Sequence, residues 1–210
     1  MKVLHIDCSV RNEHSISRKL SKLFIDQLHH TNDNVSVDYL DLTINPPQHV
    51  TNLFIEANYT SPSERTQEMT AELAESEAYI DRLHDADIYV IGMPMYNYCV
   101  PSNFKAFIDS VARIGRTFQA WENGFEGLLL NKKVFVINTR GVDFTNEFIA
   151  SFDHLQPYLK TVFKFIGVTD VQFINVHPVK WGNAEKLEST LRKAEEEIRQ
   201  AALSLSLIEN

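Results

Sequence analysis

The sequence predicts an α/β fold of the doubly wound class: a five-stranded parallel sheet of order 2-1-3-4-5 with helices on both faces. Three observations carry this. Short apolar, β-branched runs alternate along the chain with stretches of helical period. Parallel strands need crossover connections, and the intervening helical stretches supply them. Five such runs suit this order among the common doubly wound arrangements, in which ligands bind at the carboxyl ends of the strands. With 210 residues, 44% hydrophobic and 23% charged, the chain has enough apolar content for a sizeable core. Residues 1–210 are therefore read as a single domain.

Residues 2–7 are the first strand, and Ile16, Leu20, Leu23 with Phe24, and Leu28 mark the first helix. Residues 35–40 alternate apolar and polar, as a strand nearer the sheet edge does. A long connection with Pro46, Pro47 and Pro62 follows, with a short helix near 52–58. Met69, Leu73, Ser76, Ile80 and Leu83 step by fours and threes, the pattern of a helix facing the sheet. The third strand spans 87–92 and the next helix 102–112; a fourth strand spans 133–138 and a helix 151–166. The last strand covers 171–176. The terminal helix starts near Ala184 and carries Leu187, Leu191, Ala194, Ile198 and Ala201 on one face.

Twenty basic against twenty-eight acidic side chains leave a net charge of −8, which disfavours nonspecific binding to nucleic acid or anionic membrane. Two cysteines, Cys8 and Cys99, cannot build a disulfide framework and fit a reducing compartment. Asp7 interrupts the first apolar run, so neither a secretory signal nor a membrane span is expected, and the expected location is cytoplasmic. No His/Cys/Asp/Glu group has metal-ligand spacing, so no metal is predicted. His5 is read as sheet packing, and His29 with His30 as cations suited to a helix end.

The switch point of this topology lies between the first and third strands, and both strands end in informative loops. After the third strand come Met93, Met95, Tyr96, Asn97 and Tyr98, bracketed by Pro94 and Pro101. Proline fixes φ, so this loop is stiff, and its flat side chains and amide suit a planar heteroaromatic ligand. A well-packed turn after a buried strand explains the same residues. After the first strand, Ser9, Ser15 and Ser17 converge on a helix N-terminus, where free N–H groups and the dipole favour an anion. Arg11 or Arg18 could add charge, and helix capping alone is the competing reading. No dinucleotide fingerprint and no P-loop are present. A cysteine after the first strand also suits a small tyrosine phosphatase, but His14 stands where its phosphate-holding arginine must be.

A third segment holds Asn138, Thr139, Arg140, Gly141, Val142 and Asp143; upstream lie 111–118, with Arg113 and Arg116, and 122–128, with Gly124 and Gly127. Together with the Pro94–Tyr98 run and the serine-rich loop, these resemble the FMN-dependent NADH-azoreductases, also called NADH:quinone oxidoreductases. The resemblance runs from the first strand to Val176 and is strongest over 94–141. It implies a flavodoxin-like fold, a homodimer, FMN as cofactor and NADH or NADPH as donor. It further implies that Ser9, Ser15, Ile16 and Ser17 hold the FMN phosphate. Met95, Tyr96, Asn97 and Tyr98 would line the isoalloxazine, and Thr139, Arg140, Gly141 and Val142 would approach its pyrimidine end. Hydride would pass from the nicotinamide to flavin N5 and then to a quinone, azo or similar aromatic acceptor, in ping-pong order, with no catalytic side chain. N–H donors near N1 and O2 would stabilise the charge the reduced ring gains.

Some positions depart from the family pattern. Val142 stands where a second glycine is common, and valine resists close backbone approach. Phe118 is followed by Gln119, Ala120 and Trp121, and Val162 with Phe163 stands where an aromatic is frequent. Phe118, Ala120, Trp121, Val162 and Phe163 are therefore expected to form an altered acceptor pocket. A flavodoxin-like electron carrier that holds FMN without oxidising nicotinamide is the alternative.

Overall fold

The computed structural model describes residues 1–206. In chain order the elements are β1 (Lys2–Asp7), α1 (Ile16–Thr31), β2 (Ser36–Asp41), α2 (Asn52–Tyr59), α3 (Gln67–Glu72) and α4 (Ala74–Asp85). Then come β3 (Ile88–Pro94), α5 (Ser102–Val111), β4 (Phe118–Trp121), β5 (Gly124–Gly127) and β6 (Lys133–Thr139). The chain continues through α6 (Glu147–Ala150), α7 (Leu155–Phe165), β7 (Asp170–Val176) and α8 (Ala184–Ser206). Five strands form one parallel sheet in the order β2-β1-β3-β6-β7, which is the expected 2-1-3-4-5 once the β4–β5 hairpin is set aside.

The pleat sorts side chains onto two cores. Tyr89, Ile91 and Met93 of β3 face the core built with α4, α5 and α7, while Ile88 and Val90 face the one built with α1 and α8. Every residue of β3 is buried, which is why its sequence reads as an uninterrupted apolar run. Gly92 falls on the α1 side, opposite Asp7 in register. A Cβ there would lie 2.2 Å from Asp7 Oδ1, so glycine is what lets α1 sit down on this end of the sheet.

The structure differs from the expected elements in three places. The helix expected across Met69 to Leu83 is two helices meeting at Leu73, through which the hydrogen bonds Leu73 N–H to Met69 O and Glu77 N–H to Leu73 O continue. The helix expected over 151–166 begins at Leu155, because Asp153 Oδ1 accepts from the amides of Leu155 (2.9 Å) and Gln156 (3.1 Å) and restarts the chain after α6. The antiparallel hairpin β4–β5 was not expected. It is held from outside: the rings of Phe118 and Phe125 stand 4.4 and 4.9 Å from Phe165, and Gly127 presses on the left-handed Gly167 with no room for a Cβ.

Arg113, fully buried, is a structural tie. Its Nε donates to Asn58 Oδ1 (3.0 Å), and its Nη1 donates to Ser76 Oγ and reaches Glu77 Oε1 (both 2.9 Å). Burial pulls its pKa down to about 10. The long 42–66 connection is thereby pinned to α4 and α5. No helix among the described residues is long and apolar enough to cross a membrane.

Candidate functional site

The carboxyl ends of β1, β3, β6 and β7 carry the four walls of one cleft. The first is the β1–α1 loop. Ser15 caps α1, its Oγ accepting from Arg18 N–H (3.4 Å), and its hydroxyl lies 3.0 Å from that of Ser17. Ser9, Ser15 and Ser17 are all buried. Capping is therefore real, yet it uses only one orphan donor: the amides of Ile16 and Ser17 have no acceptor among the described residues. Arg18 does not face the cleft. Its guanidinium grips Asp41 (2.6 and 2.8 Å), the Ser9 carbonyl (3.0 and 2.8 Å) and Thr43 Oγ1, fastening the loop to β2. Burial pushes the Asp41 carboxyl up, but Arg18 and Thr43 prevail and hold its pKa at about 2. Of Arg11 and Arg18, it is Arg11 that lines the cleft.

The second wall is the turn after β3. Tyr96 and Cys99 exchange backbone hydrogen bonds of 3.0 Å, so Asn97 and Tyr98 are the two central residues of a tight hairpin. Both are left-handed, with φ of 48° and 67°. Asparagine tolerates that region; tyrosine does not, so this turn stores strain at the cleft. Outside contacts hold it: Met95 N–H donates to Thr139 O (2.8 Å), His154 N–H donates to Tyr98 O (3.0 Å), and the Tyr98 ring packs on Phe152 at 5.3 Å. The Tyr96 hydroxyl is buried without a partner among the described residues. At the foot of α5, Asn103 Nδ2 donates to the carbonyls of Cys8 (3.0 Å) and Leu42 (3.2 Å), tying this wall to the first.

The third and fourth walls are stitched together. Arg140 N–H donates to Val176 O, Val179 N–H to Arg140 O, and the amides of Lys180 and Trp181 both donate to Gly141 O, at 2.9–3.1 Å. The Arg140 side chain lies beneath this turn rather than in the cleft. It is buried, with Nη2 on Asp153 (2.9 Å) and Asn175 (3.2 Å) and its guanidinium 4.5 Å from the Phe144 ring. Burial lowers its pKa, and Asp153 opposes that.

The walls surround a cleft of about 960 Å³. Ser9, Ser15, Ile16, Met95, Tyr96, Asn97, Thr139 and Gly141 line it, as expected from the sequence; the side chains expected there of Ser17, Tyr98, Arg140 and Val142 do not. Arg11, Pro94, Val179, Lys180 and Trp181 complete the lining. Sequence reasoning missed the last three. The rule that ligands gather at strand carboxyl ends points to the loop after β7 as well, and that loop carries an exposed tryptophan.

The five residues expected at the acceptor pocket do not reach this cleft within one chain. Phe118, Ala120 and Trp121 belong to the hairpin, whose aromatic contacts go to Phe165. Val162 and Phe163 belong to α7, where Phe163 is buried in the core. Cys8 is fully buried, and burial together with Asp7 pushes its thiol well up, so it supplies no thiolate for phosphatase chemistry. His5 is buried in β1 beside Tyr39, ring centroids 5.0 Å apart.

Residues 1–202 match the model of a protein family described by a flavodoxin-like fold. An FMN-dependent NADH:quinone oxidoreductase of Trichormus variabilis is 41% identical over 95% of this chain and 97% of its own length. Another protein of the same name, from Nostoc punctiforme, is 42% identical over 87% of this chain and 89% of its own. Among solved structures, an azoreductase from Bacillus anthracis superposes with a TM-score of 0.89 at 25% identity, covering 97% of this chain and 99% of that one. The cleft thus occurs in a chain whose fold and sequence agree on one ancestry, and the protein belongs to the FMN-dependent NADH:quinone oxidoreductase and azoreductase family.

Proposed function

We propose that the protein is an FMN-dependent oxidoreductase that takes hydride from NADH, or NADPH, and reduces quinones, with azo compounds as a related activity. The observation that carries this is the division of the cleft. One end offers two unpaired α1 amides, serine hydroxyls and Arg11; the other offers the flat Met95–Asn97 strip and the backbone of Thr139 and Gly141. A phosphate suits the first end and a planar ring the second. The cleft volume lies at the upper end for ligand sites, which leaves room for a substrate ring on the cofactor.

Bound FMN supplies the two-electron hydride chemistry. The chain's own residues bind and orient. Ser9, Ser15 and the amides of Ile16 and Ser17 hold the phosphate; Met95, Tyr96 and Asn97 fix the ring plane; the Thr139–Gly141 backbone, tied to Met95 N–H, sets its far end. Tyr98, Arg140 and Val142 serve from behind the wall by shaping the turns. Because donor and acceptor share one face, the reading is a ping-pong cycle. The exposed aromatics Trp121, Phe125, Phe148 and Phe152 support a homodimer, in which a second copy could bring Phe118, Ala120, Trp121 or Val162 to the cleft mouth. Two free cysteines support a reducing, cytoplasmic setting.

Anaerobic addition of NADH to the FMN-reconstituted protein tests the reading: the yellow absorbance bleaches and a quinone restores it. Flavin that stays yellow sinks it, and slow bleaching with fast electron exchange to a protein partner would favour an electron carrier. Velocity sedimentation tests the dimer.

A further inference from the structure

The cleft carries charge of one sign. The whole chain has a net charge of −8, yet the charged residues lining the cleft are Arg11 and Lys180, with no Asp or Glu among the described lining residues. Arg11 belongs to the phosphate end. Lys180 follows β7, and β1 and β7 are three strand spacings apart, on the order of 14 Å. One anion therefore does not account for both cations.

Lys180 and Trp181 begin directly against the ring end of the cleft. A Cβ placed on Gly141 would lie 3.6 Å from Lys180 Cβ and 3.7 Å from Trp181 Cδ1, and both amides are fixed on Gly141 O. The Lys180 ammonium stands 5.3 Å from the indole centroid and makes no ion pair among the described residues. Trp181 is 65% exposed, so the fold leaves a broad apolar face uncovered at a ring-binding wall. An indole this exposed adds little to the stability of the fold, and covering it with a ligand ring is favourable. An indole with an ammonium over one face and the rest of its surface exposed matches a flat aromatic that carries an anionic substituent: the ring packs on the exposed indole and the anion meets the ammonium.

We propose that Lys180 and Trp181 select the electron acceptor, favouring aromatic acceptors with a carboxylate or sulfonate over uncharged ones. The inference rests on the oxidoreductase reading above. The test compares naphthoquinone with its sulfonate, at low ionic strength, on the FMN-reconstituted protein. An exposed charge pair is worth up to about a fivefold effect, so Lys180→Met should lower kcat/KM for the sulfonate about fivefold more than it lowers kcat/KM for naphthoquinone. Lys180→Arg should restore the selectivity, and high salt should erase it in the parent protein. Calorimetric titration with naphthalene sulfonate, which accepts no hydride, should show about fivefold weaker binding to the Lys180→Met protein. Equal losses on both quinones, or an unchanged titration, overturn the proposal. So does a rise in KM confined to NADH, which would assign the ammonium to the phosphates of the donor. Failure of NADH to bleach the parent protein refutes the oxidoreductase reading instead, and the titration still reads the anion site.

Discussion

Gly92→Ala probes the joint between the sheet and the phosphate-end loop. The new Cβ would lie 2.2 Å from Asp7 Oδ1, 2.9 Å from Ser21 Oγ and 3.2 Å from the Ser17 carbonyl, whereas ordinary contact begins at 3.4 Å. The Asp7 carboxylate must therefore retreat by more than an ångström, or β3 and α1 must part. Asp7 is buried and held by Ser21 Oγ–H (2.9 Å) and the Tyr39 hydroxyl (3.1 Å). Losing the Ser21 bond costs about 1–3 kcal/mol and crowding about 1–3 more, offset by up to about 1 from the stiffer unfolded chain. The expected net loss is about 1–5 kcal/mol in urea unfolding of the flavin-free protein. Because Ser17 sits in the first turn of α1, the FMN Kd should rise about tenfold as that turn shifts, which is about 1.4 kcal/mol. Asp7→Ala removes the principal obstacle, so in that background Gly92→Ala should cost at least about 1 kcal/mol less. Additive costs, or a single-variant stability within about 0.5 kcal/mol of the parent, would refute the reasoning.

The strained turn predicts that Tyr98→Gly is no less stable than the parent in urea despite losing its packing on Phe152, while Tyr98→Val loses about 1–2 kcal/mol, since a β-branched residue fits φ of 67° worst. Equal losses from both would show that the ring contact, not the backbone, decides the residue. Arg18→Lys cannot bridge Asp41 and the Ser9 carbonyl with a planar fork, so it should weaken FMN binding about tenfold in a flavin-fluorescence titration even though Arg18 lines no part of the cleft. The pH profile has two parts. Burial lowers the pKa of His5 and of His177 below 6.5, so the folded state prefers them neutral; their contribution is complete above pH 6.5 and is lost as pH falls below it. Asp41, at about 2 against an ordinary 3.8, contributes above pH 3.8 and loses that contribution as pH falls toward 2. Melting temperature should thus fall in two stages on acidification, and His5→Gln should blunt the first; a profile flat down to pH 4 would contradict this.

What the sequence reveals here follows how far the information for each element is local. β3 and β6 are covered on both faces, so nearly every residue is buried and the run itself announces a strand. The β4–β5 hairpin has the opposite character. Its residues are mostly exposed, and what fixes it is Phe165 and Gly167, some forty residues away in the chain, so no local pattern announces it. The candidate site divides along the same line. The serine-rich loop and the turn after β3 are legible because backbone donors at a helix start and flat side chains after a strand do their work from where they stand in sequence. Arg140 misled for the converse reason: a guanidinium beside a predicted ring suggests a ligand contact, and only the fold reveals that Asp153 and Asn175 take its Nη2 and that Phe144 lies against it. Lys180 and Trp181 were passed over because nothing in their neighbourhood looks like a motif. Their position is set by Gly141 O, which accepts both their amides, so the third wall of the cleft determines where the fourth one stands. A residue that recognises a substrate through such a borrowed position becomes visible once the register of β6 against β7 is known. It follows that acceptor selectivity in this fold can change by substitution at the β7–α8 loop without disturbing the segments from which the family is recognised.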